Sequence, residues 1–325
     1  MPARDWSAQI KTLCDHLVEN YVFPDVAQRA CEVLRSRLEA YAEIDDDETF
    51  AAEVTKDLQS INGDKHLRLL YSVDPIPEEG DLDSFDEAAY REEAALNGYG
   101  FARVERLAGN IGYLDTRQLF AAEVAGPFAV AAMNLVAATD VLIIDVRKNV
   151  GGDPHMIALI CGYLFDKPTH LNNLYWRAED STGQFWSHPF VPGPRFGGSK
   201  PIYVLTSGTT FSGAEELAYD LQTRQRAVVI GERTRGGAHQ GGRYRVDAHL
   251  KAGVPSGRAI NPVTGTNWEG VGIIPDVETP AESAFEKAYE LALGHVLSLG
   301  GDGVRRKVAQ EAREALASRE APDTN

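Results

Sequence analysis

The chain has 325 residues, 43% hydrophobic and 25% charged, the usage of an ordinary globular protein long enough to bury a full core. Lysine and arginine total 32 against 48 aspartates and glutamates, and the resulting net charge of −16 argues against nucleic acid or an anionic membrane as a partner. No apolar run reaches the roughly 18 residues of a membrane helix, the opening stretch has no secretory pattern, and Cys14, Cys31 and Cys161 lack C-x-x-C spacing, which suits a reduced, cytoplasmic setting.

Residues 1–72 read as a helical subdomain. Ile10, Leu13, Leu17 and Tyr21 recur at helical spacing, as do Val26, Ala30, Val33 and Leu38. A third stripe, Phe50, Val54, Leu58 and Ile61, follows an acidic run at 45–48 that suits a helix N-terminus, and Gly63 supplies a stop. That run lacks the spaced ligands of a calcium loop. Residues 73–106 form an acidic connector with room for one short helix. Residues 107–299 alternate strands and helices as the core. Val141 to Val146 is a β-branched run of the kind buried on both faces of a sheet, and the aromatics of 166–200 suit a β excursion. Thr279-Pro280-Ala281-Glu282 reads as a capping box opening a helix to Leu299. A charged helix or tail fills 300–325. Alternation alone would equally suit a doubly wound sheet.

Two segments carry chemistry. A buried strand ends at Thr206, and a polar turn leads to Ser212-Gly213-Ala214-Glu215 at a helix start. A serine there meets the positive end of the helix dipole, and neighbouring N–H groups can face an oxyanion; the same four residues also read as a plain capping box. Asp145 to Asp153 places Gly151 and Gly152 after a buried strand, where their amides are exposed to a ligand. The G-x-G-x-x-G pattern of dinucleotide sites is absent there. Serine needs a base. Among eight histidines, none in H-E-x-x-H or zinc spacing, His66 and His239 are the candidates, and spacing does not choose between them. No metal or cofactor is expected.

Together these segments resemble the S41 serine peptidase family, the tail-specific or C-terminal-processing proteases, which includes the tricorn core protease and interphotoreceptor retinoid-binding protein. The marks are G-x-I-G-Y-L at 109–114, L-I-I-D-V-R-x-N-x-G-G at 142–152, L-T-S-x-x-T-F-S-x-A-E at 205–215, V-I-G-E-x-T-x-G-G-A at 229–238 and W-E-G-V-G-I-x-P-D-V at 268–277. The resemblance implies an α+β fold with a crotonase/ClpP-like core of stacked ββα units. It also implies Ser212 as nucleophile, with Gly213 and a Gly151 or Gly152 amide as oxyanion hole.

The resemblance further selects the base. Gly237 stands where processing proteases carry a lysine, whereas Asp64-Lys65-His66 and Glu269 match the histidine and glutamate of the tricorn-like branch. His66 is then the general base and Glu269 the group that stabilises its imidazolium, directly or through a bridge. Lys65 departs from the tricorn pattern, which has serine there. Arg235 is a candidate for binding a substrate carboxylate. The connector is too short for the PDZ module of processing proteases. The implied function is hydrolysis of peptide or unfolded protein through an acyl-enzyme. The alternative is a non-catalytic binder of apolar small molecules on the same fold; an acyl-CoA enzyme is disfavoured by the acidic charge.

Overall fold

The computed structural model describes residues 4–78 and 87–320; part of the acidic connector and the end of the terminal tail lie outside the described residues. Helices α1 (Ser7–Asn20), α2 (Pro24–Ser36), α3 (Leu38–Tyr41) and α4 (Asp47–Asn62) precede strand β1 (Arg68–Tyr71) and helix α5 (Glu87–Leu96). Then come β2 (Phe101–Leu107), β3 (Ile111–Thr116), α6 (Ala122–Val136), β4 (Val141–Asp145), α7 (Pro154–Leu164), β5 (His170–Trp176) and β6 (Ser181–Trp186). The chain continues through β7 (Ile202–Thr206), α8 (Gly213–Thr223), β8 (Val228–Gly231), β9 (His239–Arg245), β10 (Leu250–Ile260), β11 (Val277–Glu278), α9 (Ala284–Ser298) and α10 (Arg306–Glu320).

The strands form two sheets. One runs β2-β3-β4-β7-β8-β11, parallel except at the β2 edge. Its order follows the chain without reversal, so it has no switch point of the doubly wound kind. Alternation in β4 sorts the core: Leu142 and Ile144 face α6, α7 and α8, while Val141 and Ile143 face α9 and α10. Burial on both faces explains the continuous apolar run. Strand β2 lies inside the stretch that reads as a connector, because its exposed edge position leaves few apolar residues to mark it.

In the second sheet, β10 pairs with β9 along one edge and with β1 and then β5 along the other, and β5 continues to β6. The N-terminal helices cover this sheet. Ile10, Leu13, Leu17, Phe50, Val54 and Leu58 share one cluster with Leu69 of β1 and Leu250, Ala252 and Val254 of β10. On α2 the buried stripe is Val26, Ala30 and Leu34; Val33 lies one position off that face. Asp46 caps α4 by accepting the Thr49 N–H at 2.8 Å, and Gly63 ends it at φ +78°.

The expected capping box at 279–282 does not form. The Thr279 N–H extends the sheet to the Gly231 carbonyl, and the Ala281 N–H goes to Glu232. A 3-10 turn then delays α9 to Ala284. Cys14, Cys31 and Cys161 are unpaired and buried. Among the described residues no helix is long and apolar enough to cross a membrane.

Candidate active site

Strand β7 carries the chain into the turn that ends at Ser212. This residue has φ +53° and ψ −123°, a left-handed backbone that a serine adopts only when its surroundings hold it. The Phe211 N–H bonds to the Asn149 carbonyl at 3.1 Å, and the Ser212 N–H to Glu215 Oε2 at 2.8 Å. A sharp strand-to-helix turn of this kind lifts a hydroxyl clear of the sheet.

The His66 ring reaches the same point from the loop between α4 and β1. Its Nε2 lies 3.2 Å from Ser212 Oγ, and its ring stacks on Phe211 at 4.6 Å. Its Nδ1 is buried and has no hydrogen-bond partner among the described residues. Burial, more than the partly offsetting charge of Asp64, pushes the imidazole down to about 4, so the ring is neutral at pH 7 and free to accept a proton.

Glu269 does not touch the His66 ring. Its carboxylate accepts the N–H groups of Lys65 (3.2 Å), Ala238 (2.5 Å) and His239 (3.0 Å). Lys65 meets Glu269 through this backbone bond, and its ammonium forms no ion pair among the described residues. The imidazole that has a carboxylate partner is His239: its Nδ1 lies 2.8 Å from Asp64 Oδ2 and 3.5 Å from Glu269. Asp64 also accepts the Tyr21 hydroxyl and the His66 and Leu67 amides. Burial raises the Asp64 carboxyl, but His239 and Tyr21 outweigh it and hold it below its usual value. Burial and the Asp64 charge push Glu269 up. Asp64, His239 and Glu269 have ligand-type atoms within 4.8 Å of one another. Their oxygens are already filled by N–H and O–H donors, which fits a hydrogen-bond network better than a metal centre.

The glycines flank Ser212. The Gly151 N–H is taken by Asn149 Oδ1 at 2.8 Å, so of the two strand-end glycines Gly152 keeps its amide. Neither Gly152 nor Gly213 N–H meets an acceptor among the described residues, and a Cβ on Gly213 would stand 2.8 Å from the Gly152 carbonyl. A side chain on Gly152, at φ +142°, would run into the Leu119 carbonyl. Arg235 lies over Phe211, 4.6 Å from ring centre to guanidinium carbon.

The spacing-based reading leaves the role of Glu215 undeveloped. Beyond its capping bond, this buried carboxylate accepts the Thr234 hydroxyl and the Gly236 and Gly237 amides. The glycine pair at 236–237, whose amides need an acceptor, is the signal that could have revealed it. Ser212, His66, His239, Gly152, Gly213 and Glu216 all line one cavity of about 510 Å³.

The model of peptidase family S41 matches residues 110–279, and that of the N-terminal domain of S41 peptidases in eukaryotic IRBP matches residues 4–94. The chain belongs to peptidase family S41 and is a peptidase of the S41 type. Three solved structures share its mixed α/β fold. A candidate peptidase from Parabacteroides merdae is 18% identical over 93% of this chain and 99% of its own, with a TM-score of 0.62. Mature CPAF is 12% identical over 91% and 99%, with a TM-score of 0.59. The tricorn protease is 13% identical over 89% of this chain and 36% of its own, with a TM-score of 0.55.

Proposed function

We propose that the chain hydrolyses peptide bonds through an acyl-enzyme on Ser212. The observation that carries this reading is the 3.2 Å approach of His66 Nε2 to Ser212 Oγ, on a strained helix tip that opens into a cavity. Ser212 Oγ attacks the substrate carbonyl carbon and gives its proton to His66 Nε2. The oxyanion is held by the Gly152 and Gly213 amides. Collapse breaks the C–N bond, and His66 returns the proton to the leaving amine. Water then hydrolyses the ester by the same route. Glu269 supports the imidazolium through its field and by holding Lys65, next to His66. Asp64 adds its charge and fixes His239.

The unreversed strand order, with the crossover helices α6, α7 and α8 all on one face of the sheet, supports a crotonase/ClpP-like assignment for residues 107–299, behind the helical subdomain of 1–72. The substrate is a peptide or unfolded protein. Selection of C-terminal tails by a separate module is not proposed, since residues 87–106 are occupied by α5 and part of β2. The unpaired buried cysteines support a cytoplasmic, reducing setting. The apolar-binder alternative is disfavoured by a cavity wall that includes two histidines, Asp153 and Glu216. A fluorophosphonate probe tests the reading: the wild type becomes labelled and Ser212→Ala does not. Absence of labelling and of peptide hydrolysis in the wild type would overturn it.

A further inference from the structure

The two glutamates that open α8 point different ways. Glu215 faces the loop at 234–237, while Glu216 is four residues from Ser212 and so shares its helix face. Glu216 is only 3% exposed, yet it lines the 510 Å³ cavity beside Ser212. Its Oε1 accepts the Asn172 amide at 3.3 Å, and its Oε2 has no hydrogen-bond partner among the described residues.

The surroundings offer further carboxyl groups and almost no positive charge. Asp153 lines the same cavity. Asp220, a further turn along α8, is fully buried and its Oδ2 is unpartnered. Its one cationic neighbour among the described residues, Arg224, lies 3.8 Å away and donates to the Leu171 carbonyl. Among the described residues no lysine or arginine lines the cavity. A carboxylate this deep is stable as an anion only beside a cation or a full set of hydrogen-bond donors; burial, aided by the Asp153 charge and opposed by the Asn172 amide, pushes Glu216 up to about 7. Tyr90 and Trp176 supply walls on which an alkyl stem and a cationic head can pack.

We infer that this cavity is the subsite for a lysine or arginine side chain of the substrate, with Glu216 as its counter-ion, so that cleavage follows a basic residue. The inference rests on the peptidase reading for its placement next to the scissile bond. Its chemistry is separable: an ammonium or guanidinium completes a buried carboxylate that has no counter-ion among the described residues.

The test uses the full chain with Ser212→Ala, so that binding is read without turnover. Two otherwise identical capped pentapeptides carry lysine or norleucine at the central position, and affinity is measured by calorimetry. A charge-assisted bond at this depth should make the lysine peptide about tenfold tighter or better. Adding Glu216→Gln should bring the lysine-to-norleucine ratio close to one. A general pull from the net charge of −16 would survive that single change, so an unaltered ratio overturns the inference. Equal affinity for the two peptides overturns it as well. The active protein supplies the other arm, with cut positions in a mixed peptide pool read by mass spectrometry. Cleavage without preference for lysine or arginine sinks the subsite and leaves the peptidase reading intact. Glu216-dependent lysine selectivity in a protein that neither labels nor cleaves does the reverse.

Discussion

The pair of histidines around Ser212 divides two properties that a single residue usually combines. His66 has the contact with the hydroxyl, and His239 has the carboxylate partner. The depressed pKa of His66 has a direct consequence for pH dependence. Below that value the ring is protonated and cannot take the serine proton; above it the base is available. We therefore expect kcat/KM to rise with pH through an acid limb near 4, and to stay flat from about pH 5.5 to about pH 8. A rate profile on a small chromogenic ester checks this, and a limb at the ordinary histidine value of 6.5 contradicts it. The histidines should also differ on mutation. His66→Ala removes the base and should lower kcat by about two to four orders of magnitude. His239→Ala should act first on stability. It strips a donor from buried Asp64 and should cost about 1–3 kcal/mol in urea unfolding, with a smaller loss of kcat than His66→Ala.

At the scale of elements, the site depends on Glu215 tying the tip of α8 to the loop before β9. Its four accepted bonds link Ser212, Thr234, Gly236 and Gly237. Glu215→Gln keeps the volume but turns an amide N–H₂ toward donors. We expect a loss of about 1–3 kcal/mol in urea unfolding and a fall in kcat that exceeds any rise in KM, because the serine backbone is no longer held in its left-handed conformation. The same element shows where sequence is informative. Ser212 and Glu215 were legible as neighbours because capping is local, three residues apart on one helix. The partners of Glu215 in the loop lie some twenty residues away and carry no periodic signal. Thr279 fails in the opposite direction. Its local box is sound, but sheet pairing with Gly231 claims the backbone first. The helical stripes within residues 7–62 and the buried strands β4 and β7 were readable from their sequence pattern, whereas β9 and β10 were not read at all. Strand β2 was not, because an edge strand leaves little hydrophobic pattern to read. The family motifs identified Glu269, but its use on three amides instead of the His66 ring could not be read from them.

For the whole molecule, the proposed base and the proposed nucleophile come from regions with different cores. Ser212 stands on the sheet flanked by α6, α7 and α8, whereas His66 follows α4, whose inner face packs on β1 and β10. The approach of the two side chains therefore depends on the N-terminal helices staying seated on the second sheet. Leu58 and Leu250 are fully buried on opposite sides of that seam. Leu58→Ala should cost about 2–5 kcal/mol through lost burial and the cavity it leaves. If the seam and the catalytic sheet unfold as one unit, far-UV circular dichroism and the rate of fluorophosphonate labelling should shift to lower urea together. Labelling that falls well before the helical signal would mean that the His66 loop leaves Ser212 while both cores stay folded. Labelling that persists after the helical signal has collapsed would show that Ser212 reacts without the base supplied by the N-terminal region, which the proposed mechanism does not allow.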